Sequence, residues 1–96
     1  MTGKERASLR SMANGIDTIL HIGKDGITEN VIIQADDALK ARELIKGRVL
    51  EASLLTAREA CTELCARLDA EPIQCIGSKF VIYRKNPEKT VIVISR

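Results

Sequence analysis

The residues best suited to chemistry in this chain are Gly23, Lys24, Asp25 and Gly26, a Gly-x-x-Gly turn with Thr28 just beyond it. Glycine at both ends lets the backbone turn sharply and come close to a ligand. A helix that begins directly after the turn aims its unpaired N–H groups and the positive end of its dipole at the same point. That combination suits phosphate. Lys24 adds a cation at the tip, Asp25 partly cancels it, and Thr28 offers its hydroxyl as a helix cap. Strand-to-helix turns also use glycine for steric reasons alone, so the loop has to be weighed in its context.

Other side chains with chemical potential are scattered. Lys46, Arg48, Lys79, Arg84 and Lys85 would extend a basic surface, the plain alternative being solvated strand faces or edge-protecting lysines. His21 adjoins the glycine turn and suits either an RNA contact or a structural place on a strand. Tyr83 suits base stacking or packing. Cys61 and Cys65 share the apolar face of one helical pattern, which favours burial over metal ligation or nucleophilic attack. No catalytic triad, carboxylate pair or metal-ligand spacing is evident, so neither enzyme activity, a small-molecule substrate nor a cofactor is expected.

The 96 residues suffice for one domain with a single core, read as residues 1–96. With one Tyr and one Phe, that core must be built from Ile, Val, Leu and Ala. Fifteen Lys and Arg against 13 Asp and Glu leave a net charge of +2, too small to identify a nucleic-acid ligand without its distribution. No apolar run approaches the ~20 residues that span a bilayer, and no signal-peptide stretch opens the chain. An odd count of three cysteines fits a reducing compartment. A cytosolic location, no membrane contact and a monomer are the expectations.

The elements that position the loop are legible in the periodicity. Thr2 and Glu5 form a capping box for a helix over Gly3 to Ala13, stopped by Asn14-Gly15, both of which tolerate the left-handed conformation that ends helices. A strand follows at Thr18 to Ile22, then a helix capped by Thr28 with Val31, Ala35, Ala38 and Leu39 on one face, ending near Lys40. Glu43 to Leu50 reads as a strand with Ile45 and Val49 on one face, weakened slightly by Gly47. Thr56 and Glu59 cap the clearest helix, whose inner face is Ala57, Ala60, Cys61, Leu64, Cys65 and Leu68.

Pro72 closes the next connection, and a two-residue Gly77-Ser78 turn joins strands Ile73 to Ile76 and Lys79 to Arg84. Straight pairing from that turn puts Ile73, Cys75, Phe80 and Ile82 on a single face. Residues 85–96 are either an edge strand, around Val91 to Ile94, or a loose tail. The order α-β-α-β-α-β-β predicts an α/β two-layer sandwich on a mixed four-stranded sheet.

Three segments carry a resemblance to a known family: Ile22-Gly23-Lys24-Asp25-Gly26-Ile27-Thr28, Ala38 through Lys46, and Ile76-Gly77 through Val81-Ile82-Tyr83-Arg84. Together they are similar to the CRM domain (chloroplast RNA splicing and ribosome maturation), in its stand-alone bacterial, YhbY-like form. The resemblance runs from about Thr2 to Arg84. It implies a fold akin to the C-terminal domain of translation initiation factor three and a KH-like GxxG loop that contacts RNA. It also implies association with precursor large ribosomal subunits. The loop maps onto Gly23, Lys24, Asp25 and Gly26, and the basic surface onto Lys46 and nearby cations. Gly47 stands where a β-branched residue is more usual, and Asn14 to Asp17 replace a proline-containing approach to the first strand.

The expected RNA-contacting residues are therefore Gly23, Lys24, Asp25, Gly26, Thr28, Lys46, Arg48, Arg84 and Lys85. The expected partner is ribosomal RNA of a precursor large subunit. The alternative is a protein-interaction module that docks a ribosomal protein through its sheet face or C-terminal strand, with RNA contact incidental.

Overall fold

The computed structural model describes residues 1–88. Its elements are α1 (Gly3–Ala13), β1 (Thr18–Ile22), α2 (Glu29–Arg42), β2 (Leu44–Val49), α3 (Ala57–Leu68), β3 (Glu71–Ile76) and β4 (Lys79–Tyr83). The sheet order is β1-β2-β4-β3. β1 runs parallel to β2, as the helical crossover through α2 requires, and the other pairings are antiparallel. The α/β class and the mixed four-stranded sheet agree with the sequence reading. The possible edge strand around Val91 to Ile94 lies outside the described residues.

The sheet divides two apolar clusters. On one face α2 and α3 bury Ala35, Leu39, Ala60, Cys61 and Leu64 against Leu20, Ile22, Ile45, Phe80 and Ile82. On the other, α1 brings Leu9 and Ala13 onto Leu44, Ile73, Val81 and Tyr83. The sandwich thus gains a partial third layer, pinned where the Arg6 guanidinium donates to the Pro72 carbonyl and pairs with Glu71 at 3.6 Å.

Local signals set most helix ends. Both capping boxes form, with Glu5 N–H donating to Thr2 Oγ1 and Glu59 N–H to Thr56 Oγ1, each at 3.1 Å. All six residues expected on the inner face of α3 are buried. The end of α1 differs from expectation. Asn14 keeps right-handed dihedrals, and the helix closes through tight i→i−3 bonds, such as Gly15 N–H to the Met12 carbonyl at 3.1 Å.

Two boundaries moved for tertiary reasons. α2 continues past Lys40 to Arg42 and stops at Glu43, which is fully buried with φ 64° and serves as the helix cap instead of opening β2. Its N–H donates to the Leu39 carbonyl at 2.8 Å, and its own carbonyl accepts from Arg84 N–H at 2.9 Å. In the hairpin, Cys75 pairs with Phe80 and Gln74 with Val81 as expected, but the register shifts between Pro72 and Gln74. Ile73 consequently joins the α1 cluster and not the face of Cys75, Phe80 and Ile82.

Candidate nucleic-acid interface

The glycine turn sits at the end of the sheet where β1 and β2 both finish. Leu50 N–H donates to the Ile22 carbonyl at 2.9 Å, and Val49 N–H to the Ser78 carbonyl at 2.8 Å. The 23–28 loop, the 50–56 loop and the Gly77-Ser78 turn therefore cluster at one end. Gly26 N–H closes the turn onto the Gly23 carbonyl at 3.1 Å.

The two glycines do different work. Gly26 has φ 69°, a conformation that L side chains rarely adopt, and a Cβ built there would stand 3.6 Å from Leu55 Cδ1. Gly23 has an ordinary φ, and a Cβ there would meet nothing within 4 Å. Gly26 is thus needed by the turn itself, whereas Gly23 leaves open approach to the backbone. Lys24 and Asp25 are both exposed. Thr28 Oγ1 accepts from Val31 N–H at 3.3 Å, so the hydroxyl caps the start of α2 directly after the turn.

Lys46 and Arg48 project from the sheet face opposite α2 and α3, because Ile45, Gly47 and Val49 alternate with them toward the first cluster. Arg48 is exposed and Lys46 half-buried, and Arg48 stands at the loop end of its strand. Two further residues flank Arg48 directly: His21 on β1 and Lys79 on β4. Both are secondary candidates in the sequence, Lys79 for a basic surface and His21 for an RNA contact, and neither is in the expected set of contact residues. Period-two alternation puts Lys79 on that face of its own strand, but the neighbour relation to Arg48 depends on a non-local pairing.

Arg84 and Lys85 lie at the opposite end, where β4 leaves the sheet. The Arg84 guanidinium donates to the Leu68 carbonyl at 3.0 Å and to the Asp36 carbonyl at 3.3 Å, and pairs with the Asp36 carboxylate at 2.9 Å. It ties β4 to α2 and α3, and the structure does not bring it together with the glycine turn. Asn86 extends the same fastening, its N–H donating to Glu43 Oε2 at 2.6 Å and its side-chain amide to the Lys40 carbonyl at 3.0 Å.

Tyr83 is 5% exposed within the α1 cluster, so it packs and has no face free for a base. Burial above all, then the Glu43 and Glu5 carboxylates, pushes its phenol pKa up. Cys61 and Cys65 are buried in the first cluster. The hydrogen bond with Cys61, followed by burial, pushes the Cys65 thiol far up, and burial pushes the Cys75 thiol up. Among the described residues no His, Cys, Asp and Glu group has the arrangement of a metal site.

Comparison with known proteins gives this arrangement a context. The family model described as CRS1 / YhbY (CRM) domain matches residues 1–84. The chain is 35% identical over 92 residues to the "Probable RNA-binding protein YqeI" of Bacillus subtilis, covering 96% of each. It is 32% identical over 98 residues to the "Probable RNA-binding protein PA4753" of Pseudomonas aeruginosa, covering all of this chain and 94% of the relative. The solution structure of SAV1595 from Staphylococcus aureus superposes with a TM-score of 0.72 at 43% identity, over 99% of both chains.

Proposed function

The chain belongs to the CRS1/YhbY (CRM) domain family, and from that membership and the loop geometry we propose that it binds ribosomal RNA of precursor large subunits and assists their assembly in the cytosol. The observation that carries this reading is the turn at the N-terminus of α2. There is open space beside the Gly23 Cα, α2 begins directly beyond the turn, and Lys24 is exposed at the tip. Such a surface meets a phosphate backbone without reading bases, so sequence specificity is low and shape governs the choice of RNA.

Titration of ribosomal RNA fragments at increasing salt tests the loop. Affinity falls as salt rises, and Lys24→Ala shallows the slope of log K against log salt by roughly one. A salt-independent affinity that ignores Lys24→Ala overturns the reading. Crosslinking in cells, mapped to nucleotides, tests the ribosomal assignment: crosslinks concentrated in one precursor rRNA region support it, and crosslinks spread over messenger and transfer RNA overturn it.

A further inference from the structure

We propose that the open sheet face beside the glycine turn is a second phosphate-contacting surface, formed by His21, Arg48 and Lys79 with Lys46 behind them, and that its ligand is base-paired RNA. The proposal rests on the reading that this chain binds RNA. Strand register builds the surface. His21 is opposite Arg48, Arg48 opposite Lys79, and Lys79 opposite Ile76, one residue from each strand in a single row across the sheet. All four are exposed. α1 covers only the far half of this face, through Leu44, Ile73, Val81 and Tyr83.

The row is electrostatically uncompensated. Arg48 and Lys79 are direct cross-strand neighbours, an arrangement of like charges that destabilises a sheet. Among the described residues no carboxylate pairs with Lys46, Arg48 or Lys79. Protection of a sheet edge does not account for them, because β2 and β4 are the two inner strands. A polyanion lying across the sheet supplies the missing charge. Strands about 4.8 Å apart set the row's backbone positions roughly 10 Å from His21 to Lys79, and the chain continues from His21 through Ile22 into the turn.

Composition and burial select the class of RNA. Unpaired bases are held by stacking on Phe, Tyr, Trp or His rings or on Arg planes, and proteins that track single strands stack successive bases on such platforms. The chain's one Phe and one Tyr are 1% and 5% exposed, which leaves the single ring of His21 in the row and no succession of rings for neighbouring bases. Apart from Ile76, what faces outward is mainly cationic, with the half-buried Gln74 amide beside it in a groove shared by Asn14, Lys46 and Lys79. Charges and amide groups suit the phosphates and 2′-hydroxyls of the wide, shallow minor groove of an A-form helix.

Fluorescence anisotropy with the full chain tests this, using a 20-base-pair RNA duplex, either of its single strands and the DNA duplex of the same sequence. The expected result is at least tenfold tighter binding of the RNA duplex than of either single strand. The Arg48→Gln/Lys79→Gln variant, checked for an unchanged urea midpoint, loses at least tenfold in duplex affinity and about two in salt slope. Arg48→Lys/Lys79→Arg, which keeps both charges, retains duplex binding even if the glutamine variant folds poorly. Arg42→Gln, at the far end of α2, leaves it unchanged. Single strands bound as tightly as the duplex, or duplex binding indifferent to loss of both charges, overturn the inference while leaving RNA binding intact. Binding of neither RNA at low salt overturns the RNA-binding reading with it.

Discussion

Gly47 and Phe80 are cross-strand partners, and a Cβ built on Gly47 would stand 2.3 Å from the Phe80 Cζ atom. The ring lies across the glycine and fills the volume a side chain would take. In sequence Gly47 looks like a weak point in a strand, and in the resemblance it replaces a β-branched residue. In the fold it is the seat of the only phenylalanine, which is 1% exposed at the centre of the larger cluster.

Gly47→Ala therefore overpacks the core and lowers stability by about 1–3 kcal/mol, read as a lower urea midpoint with an unchanged m-value. The relationship is reciprocal. Gly47→Val combined with Phe80→Leu costs less than the two single changes added together, by more than about 0.5 kcal/mol. Simple additivity would show that the ring and the glycine do not share this space.

The two loop glycines separate folding from binding. Gly26→Ala forces a side chain into left-handed conformation and costs about 1–2 kcal/mol of stability. Gly23→Ala leaves the unfolding free energy within about 0.5 kcal/mol of the parent's, since its Cβ meets nothing. It nonetheless weakens RNA binding by blocking backbone approach. Equal destabilisation by the two changes, or full RNA affinity in Gly23→Ala, contradicts this division.

Asp36 makes stability depend on acidity. Its hydrogen bond with Lys40, at 3.0 Å, and then that with Arg84 hold its carboxyl below the usual carboxylate value. Because the folded pKa lies below the unfolded one, the stabilisation is complete above about pH 4 and is lost as pH falls through the folded value. Asp36→Asn is therefore less stable at pH 7, by a few tenths to about 1 kcal/mol for such part-exposed pairs. The gap narrows below about pH 4. Urea midpoints for both proteins across that range give the check; a gap that widens in acid contradicts the assignment.

Glu43 fastens the chain where it leaves β4. Glu43→Ala deprives the Asn86 N–H of its carboxylate acceptor and lowers stability by about 1–3 kcal/mol, while Glu43→Gln, which keeps an oxygen there, loses less. Denaturant titration of the two variants reads the difference. Glu43→Ala matching the parent would mean the carboxylate holds nothing.

Capping boxes, apolar faces and the hairpin turn were readable along the chain because each is a relation among residues a few positions apart. Thr56 with Glu59, the six inner residues of α3 and the Gly77-Ser78 turn belong here. So does the loop Gly23 to Gly26, whose chemistry resides in its residue types and the helix that follows. The tertiary structure decided what local pattern leaves open. It set the register shift that turns Ile73 toward α1, the burial of Glu43, and the space under Phe80 that requires Gly47. Arg84 and Arg48 are alike as residues in the sequence. Packing surrounds Arg84 with the Asp36 carboxylate and two carbonyls, whereas pairing of distant strands sets Arg48 between His21 and Lys79 on an open face. Neighbours across a sheet are fixed by hydrogen-bond register between segments far apart in the chain, and that register determines which cations stand together.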